Sequence, residues 1–265
     1  MKINKKLISC VLLVASIASG CKMLSKMMGK GGTEFKVQID SSEGDKATLV
    51  ERAIKVTQNK IDALALNGEV TKDTTDPTAM IVRIYDAEDL ERIKKFLFTA
   101  YQLELKKVIS PPNPSPLQTF PTAEEAMKAV KSEQDVLPYT ERTDQNEKFV
   151  IVEKNVIVTG DDIRDARAVS YSRSKESPEY QISFSLKPEG AAKFGEWTGK
   201  NIGNYIAVVL DKKVQSAAFI KSQIFDSGEI SGRFTKAEAE DVAMSLKSGY
   251  LPATLRVIGE KPIGN

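Results

Sequence analysis

The segment that decides the fold is residues 182–197, which reads Ile-Ser-Phe-Ser-Leu-Lys-Pro-Glu-Gly-Ala-Ala-Lys-Phe-Gly-Glu-Trp. Ile182, Phe184 and Leu186 alternate with polar residues, which is typical of a strand with one buried face. Pro188 follows at once, and proline is well placed in a first helical turn because no N–H donor is needed there. Phe194 and Trp197 then lie one turn apart on the predicted helix, where core packing is the ordinary role of such a pair. The segment therefore predicts a strand followed directly by a helix.

Similar strands and helices flank this segment on both sides. Strands are predicted at residues 34–39, 80–84, 103–108, 149–158, 205–210, 214–220 and 253–258. Helices are predicted at residues 47–66, from Asp86 and Asp89 through Leu97, at residues 159–168, and from the Thr235–Glu238 capping box to Gly249. Because strands and helices mix without regular βαβ spacing, the predicted class is α+β.

The composition excludes most kinds of catalytic site. The 265 residues include no histidine and only two cysteines, and both cysteines lie in the first 21 residues. Mechanisms that use a histidine base, and metal sites built on histidine or cysteine in the body, are therefore excluded. The formal net charge is +2, so nucleic acid is not an expected partner. We predict no enzyme activity, no catalytic residue, no cofactor and no metal site.

Three motifs have a possible chemical role and an ordinary structural one. Residues 172–175 (Ser-Arg-Ser-Lys) fit the S-x-x-K pattern of penicillin-binding enzymes, but the companion motifs are absent and a solvated loop is expected. The cluster of Asp161, Asp162 and Asp165 lacks the spacing of a calcium loop and is expected to cap a helix. Residues 29–32 (Gly-Lys-Gly-Gly) lack the phosphate-loop spacing and are expected to form a tether.

The first 21 residues have the parts of an export signal. A basic start with three lysines precedes the apolar residues 7–18, and small residues then precede Cys21. The alternative is a retained membrane span, but the uncharged run of residues 7–21 is shorter than the about 18 residues that a span needs. Removal of this leader would leave 35 basic against 36 acidic residues.

The end of the leader, Ala18-Ser19-Gly20-Cys21, resembles the lipobox of bacterial lipoproteins. This resemblance implies that Cys21 is the lipid attachment site and the first residue of the mature chain. Cys10 follows a similar tripeptide, but cleavage there would leave almost no apolar core. We therefore expect a body held by lipid at the periplasmic side of the inner or outer membrane.

Prolines divide the body. Five of the eleven prolines fall within residues 110–121, a stretch that can be neither a helix nor a central strand. The expected organisation is a signal peptide (1–20), a lipid-anchored tether (21–33), a base lobe (34–110), a Pro-rich connector (111–121), a head lobe (122–250) and a return strand to the base (251–265).

Six collinear segments of the second half resemble the first periplasmic domain of the SecD family of protein-export membrane proteins. They are residues 156–167, 182–194, 201–211, 215–217, 230–235 and 246–253, and a weaker similarity extends to residues 31–34 and 58–64. The turn Asp211-Lys212-Lys213 departs from the family's usual Asp-Gly-Lys.

The resemblance implies a base and an inserted head, each built around a ferredoxin-like βαβ-type sheet with helices on one face. It also implies that the chain, as a stand-alone lipoprotein without the family's membrane helices, binds extended or unfolded polypeptide and assists Sec-dependent export. The implied partners are translocating polypeptide, Sec translocon components and, through the anchor, the membrane. The alternative is a structural envelope lipoprotein that keeps the head fold without a role in translocation.

Overall fold

The computed structural model describes residues 31–40, 45–111, 115–140, 146–171, 179–251 and 253–264. The predicted leader, the lipid site Cys21 and the Ser172–Lys175 motif lie outside these residues. The chain divides into two compact units, of which the first combines residues up to 95 with residues from 255 onward. The second unit comprises residues 96–254.

The described residues form twelve strands and five α-helices. The strands are β1 (Gly32–Asp40), β2 (Asn67–Lys72), β3 (Ala79–Tyr85), β4 (Leu103–Val108), β5 (Gln134–Thr140), β6 (Glu147–Thr159), β7 (Ile163–Ser170), β8 (Tyr180–Leu186), β9 (Tyr205–Leu210), β10 (Lys213–Phe219), β11 (Ser227–Phe234) and β12 (Thr254–Ile263). The helices are α1 (Lys46–Ala63), α2 (Leu90–Phe98), α3 (Ala123–Ala129), α4 (Pro188–Lys200) and α5 (Lys236–Ser248), and a 3-10 turn spans Gly160–Asp162.

The first unit is a four-stranded sheet in the order β12-β1-β3-β2. Its elements follow the order β-α-β-β-α-β of the split βαβ arrangement, with β12 as the fourth strand. The inward residues of β1 and β3 are buried and paired, for example Phe35 opposite Val82. Helix α1 begins after Asp45, whose carboxylate accepts the Thr48 N–H at 3.1 Å and so caps the helix.

The second unit contains a closed barrel, β10-β5-β6-β4-β9, and a separate three-stranded sheet, β11-β8-β7. Strand β9 has no solvated face, because its alternate residues enter two different cores. Ala207 and Val209 pack in one core, and Ile206, Val208 and Leu210 pack in the other. The second core also contains Phe184 and Phe194.

The α+β class is confirmed, and so are the local elements with strong signals. These include the strand and helix of residues 182–197, the hairpin β9–β10 and the capping box in which Thr235 Oγ1 accepts the Glu238 N–H at 3.2 Å. The ferredoxin-like detail is not confirmed for the head, because the second unit is a barrel with a separate sheet. Strands β2, β5 and β11 and helix α3 were not predicted.

The helix predicted at residues 159–168 is wrong. Its first residues form the 3-10 turn, and strand β7 follows, with Ala166 opposite Phe184 and Ala168 opposite Ile182 on β8. The carboxylates at the turn are compatible with a helix start, but pairing with β8 gives this backbone hydrogen-bond partners along one side and buries Ala166. A long-range pairing of this kind overrides a local preference.

The Pro-rich stretch also differs from its expected place. Strand β4, predicted as part of the base, pairs with β6 and β9 in the barrel. The described part of the stretch follows β4 and is fixed to the same unit, since Phe120 forms a bridge with Phe149 and the Tyr205 hydroxyl donates to the Ser115 carbonyl at 3.0 Å. The prolines therefore join two elements of the second unit.

Candidate functional site

The acidic cluster that the sequence singled out is divided between two structural roles. The Asp162 carboxylate accepts the Thr159 N–H at 2.9 Å, and so closes the 3-10 turn. Asp165 lies 3.1 Å from Lys247, and a hydrogen bond from Lys247 holds the pKa of Asp165 below its ordinary value. Among the described residues no three potential metal-ligating side chains converge. The predicted capping role of this cluster fits Asp162, whereas Asp165 belongs to an ion pair.

A short segment, residues 221–226, crosses helix α4 and is called the strap below. The strap is fixed at both ends by main-chain hydrogen bonds. Before it, the Ile220 N–H donates to the Asn204 carbonyl at 2.9 Å, and at its end the Asp226 carbonyl accepts the Leu186 N–H at 2.7 Å. Gln223 makes a further contact, because its side-chain amide donates to the Gly195 carbonyl at 3.0 Å.

Two glycines of α4 face the strap. A Cβ on Gly195 would lie 3.6–3.7 Å from Gln223, Ile224 and Phe225, and one on Gly199 would lie 3.4 Å from Gln223. Larger side chains at these positions would hold the strap away from the helix. The Gly-x-x-x-Gly spacing places both glycines on one helix face, since residues four apart lie one turn apart.

The strap and the loop beside it expose two large apolar side chains. Phe225 is 65% exposed and Ile202 is 53% exposed. Ile224, also in the strap, is half-buried against the core. Ile202 is one residue from Gly203, whose N–H donates to the Ile220 carbonyl just before the strap. Apolar patches with polar surroundings mark interaction sites on soluble domains, and these two side chains supply exposed apolar surface of that kind.

The charges around these apolar residues are balanced. Lys200 pairs with Glu196 on the same helix, and the exposed strap carries Lys221 at one end and Asp226 at the other. A surface with equal numbers of both charges offers no strong attraction to a polyanion. The chemistry that this surface offers is therefore mainly that of its apolar side chains and backbone groups.

The three-stranded sheet has two edge strands, and β11 follows the strap directly in the chain. Within the described residues, β7 and β11 each pair with β8 alone. The register of β11 also shifts between Ile230 and Phe234, which interrupts its ladder. An edge strand presents N–H and C=O groups that an extended peptide can pair with.

The first unit has an open depression of about 560 Å³ on the outer face of its sheet. Its charged side chains are already paired: Glu34 lies 2.7 Å from Arg83 and 2.9 Å from Lys261, and Lys36 lies 2.7 Å from Asp73. The hydrogen bond from Lys261 is the main cause that lowers the pKa of Glu34, and the one from Lys36 holds the pKa of Asp73 far below its ordinary value. This arrangement stabilises the sheet and supplies no unpaired acid or base.

The barrel contains one buried cation. Lys106 is almost fully buried, and its ammonium lies 3.1 Å from the Glu104 carboxylate and 3.8 Å from that of Asp135. A buried charge needs such partners to offset its lost hydration. Lys106 is therefore accounted for as a paired group within the barrel.

Comparison with known proteins shows which family this chain resembles. Residues 134–253 match the family model of the SecDF P1 head subdomain. Protein translocase subunit SecD of Aquifex aeolicus is 33% identical over 219 residues, which cover 83% of this chain and 40% of that protein. The SecD subunit of Elusimicrobium minutum is 47% identical over 116 residues, which cover 44% of this chain and 24% of that protein.

The chain is similar to the SecD family across most of its length. A solved structure described as a membrane component SecDF that enhances protein export superimposes with a TM-score of 0.62 at 26% identity, covering 85% of this chain and 98% of that one. The chain spans about two fifths of the length of the SecD relatives it matches.

The region matched to the SecDF head contains helix α4, the strap and both edge strands. Sequence reasoning missed the strap with its residues Gln223 and Phe225, and it missed Thr198 on α4, which binds the strap. The Gly195–Gly199 spacing is a signal that could have pointed to a close contact on α4. Phe194 and Trp197 were predicted to be core residues, and Phe194 is 3% exposed while Trp197 packs partly buried against the same core.

Across the described part of the chain, none of the helices has both the length and the apolar character needed to cross a bilayer.

Proposed function

We propose that this SecD-like chain acts in protein export as an extracytoplasmic domain that binds extended or unfolded polypeptide. The relatives are named as protein translocase subunits, and the matched solved structure is described as one that enhances protein export. Translocating polypeptide and Sec components are the partners that this kinship favours. A lipid on Cys21 would hold the domain at the membrane surface, on the periplasmic side of the inner or outer membrane.

The observation that carries the proposal is the exposure of two large apolar side chains, Phe225 and Ile202, on the part of the chain that matches the SecDF head. Unfolded segments differ from folded proteins in exposing apolar side chains and unpaired backbone groups. Phe225 and Ile202 can contact the apolar side chains of an unfolded segment, and the edges of β7 and β11 can pair with its backbone groups. Both kinds of contact tolerate many sequences, as a domain that handles varied clients requires.

The balanced charges predict how the binding responds to salt. Attraction between exposed charges is screened beyond about 8 Å at physiological ionic strength. Because apolar and backbone contacts do not depend on such attraction, the affinity for an unfolded chain should change little between low and high salt. A strong loss of affinity at high salt would show that ion pairs dominate, and would contradict the apolar mechanism.

The test is a titration of a reduced, permanently unfolded model protein against the full chain in lipid nanodiscs, with empty nanodiscs as the blank. Phe225→Ala should weaken binding by about 5- to 30-fold, the range for loss of an aromatic anchor. Met127→Ala is the matched control, because Met127 is 60% exposed but lies on α3, which packs against β5 and β6. It should bind as the wild type does.

Absence of binding by the wild type at either salt concentration would contradict the proposal. It would favour the alternative, a structural envelope lipoprotein that keeps the head fold. Equal binding by the wild type and Phe225→Ala would instead show that polypeptide is bound elsewhere on the domain.

A further inference from the structure

The strap is held at its centre by one buried hydroxyl group. Thr198 on helix α4 is fully buried, and its Oγ1 accepts the N–H of Ile224 at 3.0 Å. The same oxygen lies 2.8 Å from the carbonyl of Phe194 and 3.1 Å from the carbonyl of Ile224. A threonine hydroxyl has one proton to donate. The Thr198 hydroxyl can therefore donate its proton either to the Phe194 carbonyl within the helix or to the Ile224 carbonyl in the strap. In both cases its oxygen still accepts the Ile224 N–H.

This contact is placed directly before the exposed aromatic residue. Ile224 is the residue that Thr198 binds, and Phe225 is the next residue along the strap. The ring of Phe225 approaches the backbone of Gly195, one turn before Thr198. Gln223, the residue before Ile224, donates to the Gly195 carbonyl. Hydrogen bonds to α4 from the two residues before Phe225 thus fix the part of the strap that carries the Phe225 ring.

A rigid apolar side chain binds more tightly than a mobile one, because less conformational entropy is lost on binding. The strap bears exposed residues and few buried ones, so the core alone does not fix it. We propose that Thr198 is a positioning residue for client binding: its hydroxyl fixes the strap so that Phe225 is presented in a binding-ready orientation. This inference rests on the proposed function, and its occupant is an apolar side chain of an extended polypeptide.

The balanced charge of this surface supports that occupant. Lys200 and Glu196 form an ion pair, and Lys221 and Asp226 mark the two ends of the strap. An anionic lipid surface or a nucleic acid would need an excess of positive charge here. An uncharged apolar segment does not.

The experiment compares Thr198→Val, Thr198→Ser and Gln223→Ala in the full chain. Valine keeps the shape of threonine but cannot accept the Ile224 N–H, whereas serine keeps the hydroxyl. The exposed Gln223 can be truncated without disturbing the core. Three quantities are measured: amide hydrogen exchange of Ile224, the thermal midpoint of unfolding, and affinity for the reduced, unfolded model protein.

Thr198→Val should speed Ile224 exchange by about tenfold or more, because its protecting acceptor is lost. It should also weaken polypeptide binding by about three- to tenfold, as an unfixed strap must be ordered on binding. Thr198→Ser should restore both properties. Gln223→Ala should weaken binding in the same direction with an unchanged thermal midpoint, which separates positioning from general stability. This variant decides the outcome if Thr198→Val fails to fold.

Two results would overturn the inference. The first is a Thr198→Val variant in which Ile224 exchanges faster but polypeptide binds with wild-type affinity. The second applies if only Gln223→Ala folds, and it is wild-type affinity in that variant. Either result would show that the strap need not be fixed for binding. In that case a loss of binding in Phe225→Ala would still support the proposed function. No binding by the wild type, or full binding by Phe225→Ala, would remove the proposed function at this surface, and the role of Thr198 with it.

Discussion

Gly190 lies against Asp162 so closely that a Cβ at position 190 would be 2.6 Å from the Cβ of Asp162. This contact seats the first turn of α4 on the 3-10 turn of Gly160–Asp162. The Lys187 N–H also donates to the Asp162 carbonyl at 2.7 Å, directly before the helix. The glycine is therefore required by a close approach between two elements that are far apart in the sequence.

Gly190→Ala should destabilise the protein by about 1–3 kcal/mol, the usual cost of overpacking a buried site. The group that alanine would meet is a Cβ next to the main chain, which cannot move aside as the end of a long side chain can. The free energy of unfolding from urea titration checks this. Gly195→Ala is the matched control, since it is buried on the same helix but its nearest neighbour would be 3.6 Å away. It should be neutral or stabilising by up to about 1 kcal/mol; equal destabilisation by both variants would contradict the account.

Lys212→Gly should stabilise the protein by about 0.5–1 kcal/mol. The turn between β9 and β10 has φ values of 49° at Asp211 and 62° at Lys212, so both central residues are left-handed. A residue with a Cβ pays a steric cost in this conformation and glycine does not. Asp211 offsets its own cost in part, because its carboxylate accepts the Gln102 N–H at 2.8 Å.

The converse variant for this prediction is Gly203→Ala. Gly203 has a φ of 90°, and a Cβ there would meet nothing within 4 Å. Any loss of stability in Gly203→Ala would therefore come from backbone conformation alone, and we expect a loss of about 1 kcal/mol. A destabilised Lys212→Gly would show that the lysine side chain, and not the backbone, determines stability at this turn.

Tyr101 should make the protein sensitive to alkali. Burial, followed by the charge of Asp241, raises the pKa of Tyr101 to about 12, against about 10 in an unfolded chain. Because the folded pKa is the higher one, its contribution to stability is complete below about pH 10 and is lost as the pH rises toward about 12.

Unfolding free energies across this alkaline range should fall less steeply for Tyr101→Phe than for the wild type. Asp241→Asn should lower the pH at which the Tyr101 phenolate forms, as followed by its ultraviolet absorbance. An identical pH dependence in Tyr101→Phe and the wild type would contradict the prediction.

Cys21 should carry lipid in cells. Metabolic labelling with a fatty-acid analogue should mark the wild type and not Cys21→Ser, since the thiol is the acceptor in lipobox processing. Cys10→Ser is the control and should be labelled like the wild type. Labelling that is lost in Cys10→Ser and kept in Cys21→Ser would move the processing site to the other cysteine.

The sequence by itself determined the elements whose signals are local. Alternation from Ile182 to Leu186 with Pro188 after it specifies a strand and a helix start, and Thr235 with Glu238 specifies another helix start. Each of these signals depends on contacts within a few residues, so its physical cause is present in the printed order of residues. The family resemblance was also readable from collinear segments, and the comparisons confirmed it.

The tertiary structure alone decided the features that depend on distant partners. Residues 163–170 became a strand because β8 supplied its hydrogen bonds, and β4 joined the barrel because β6 and β9 were its neighbours there. Thr198 gives no sign in the sequence that its hydroxyl holds Ile224, and nothing local exposes Phe225. The reason is that burial and strand pairing each require two segments of the chain. The sequence of one segment specifies its own preferences but not which other segment packs or pairs with it.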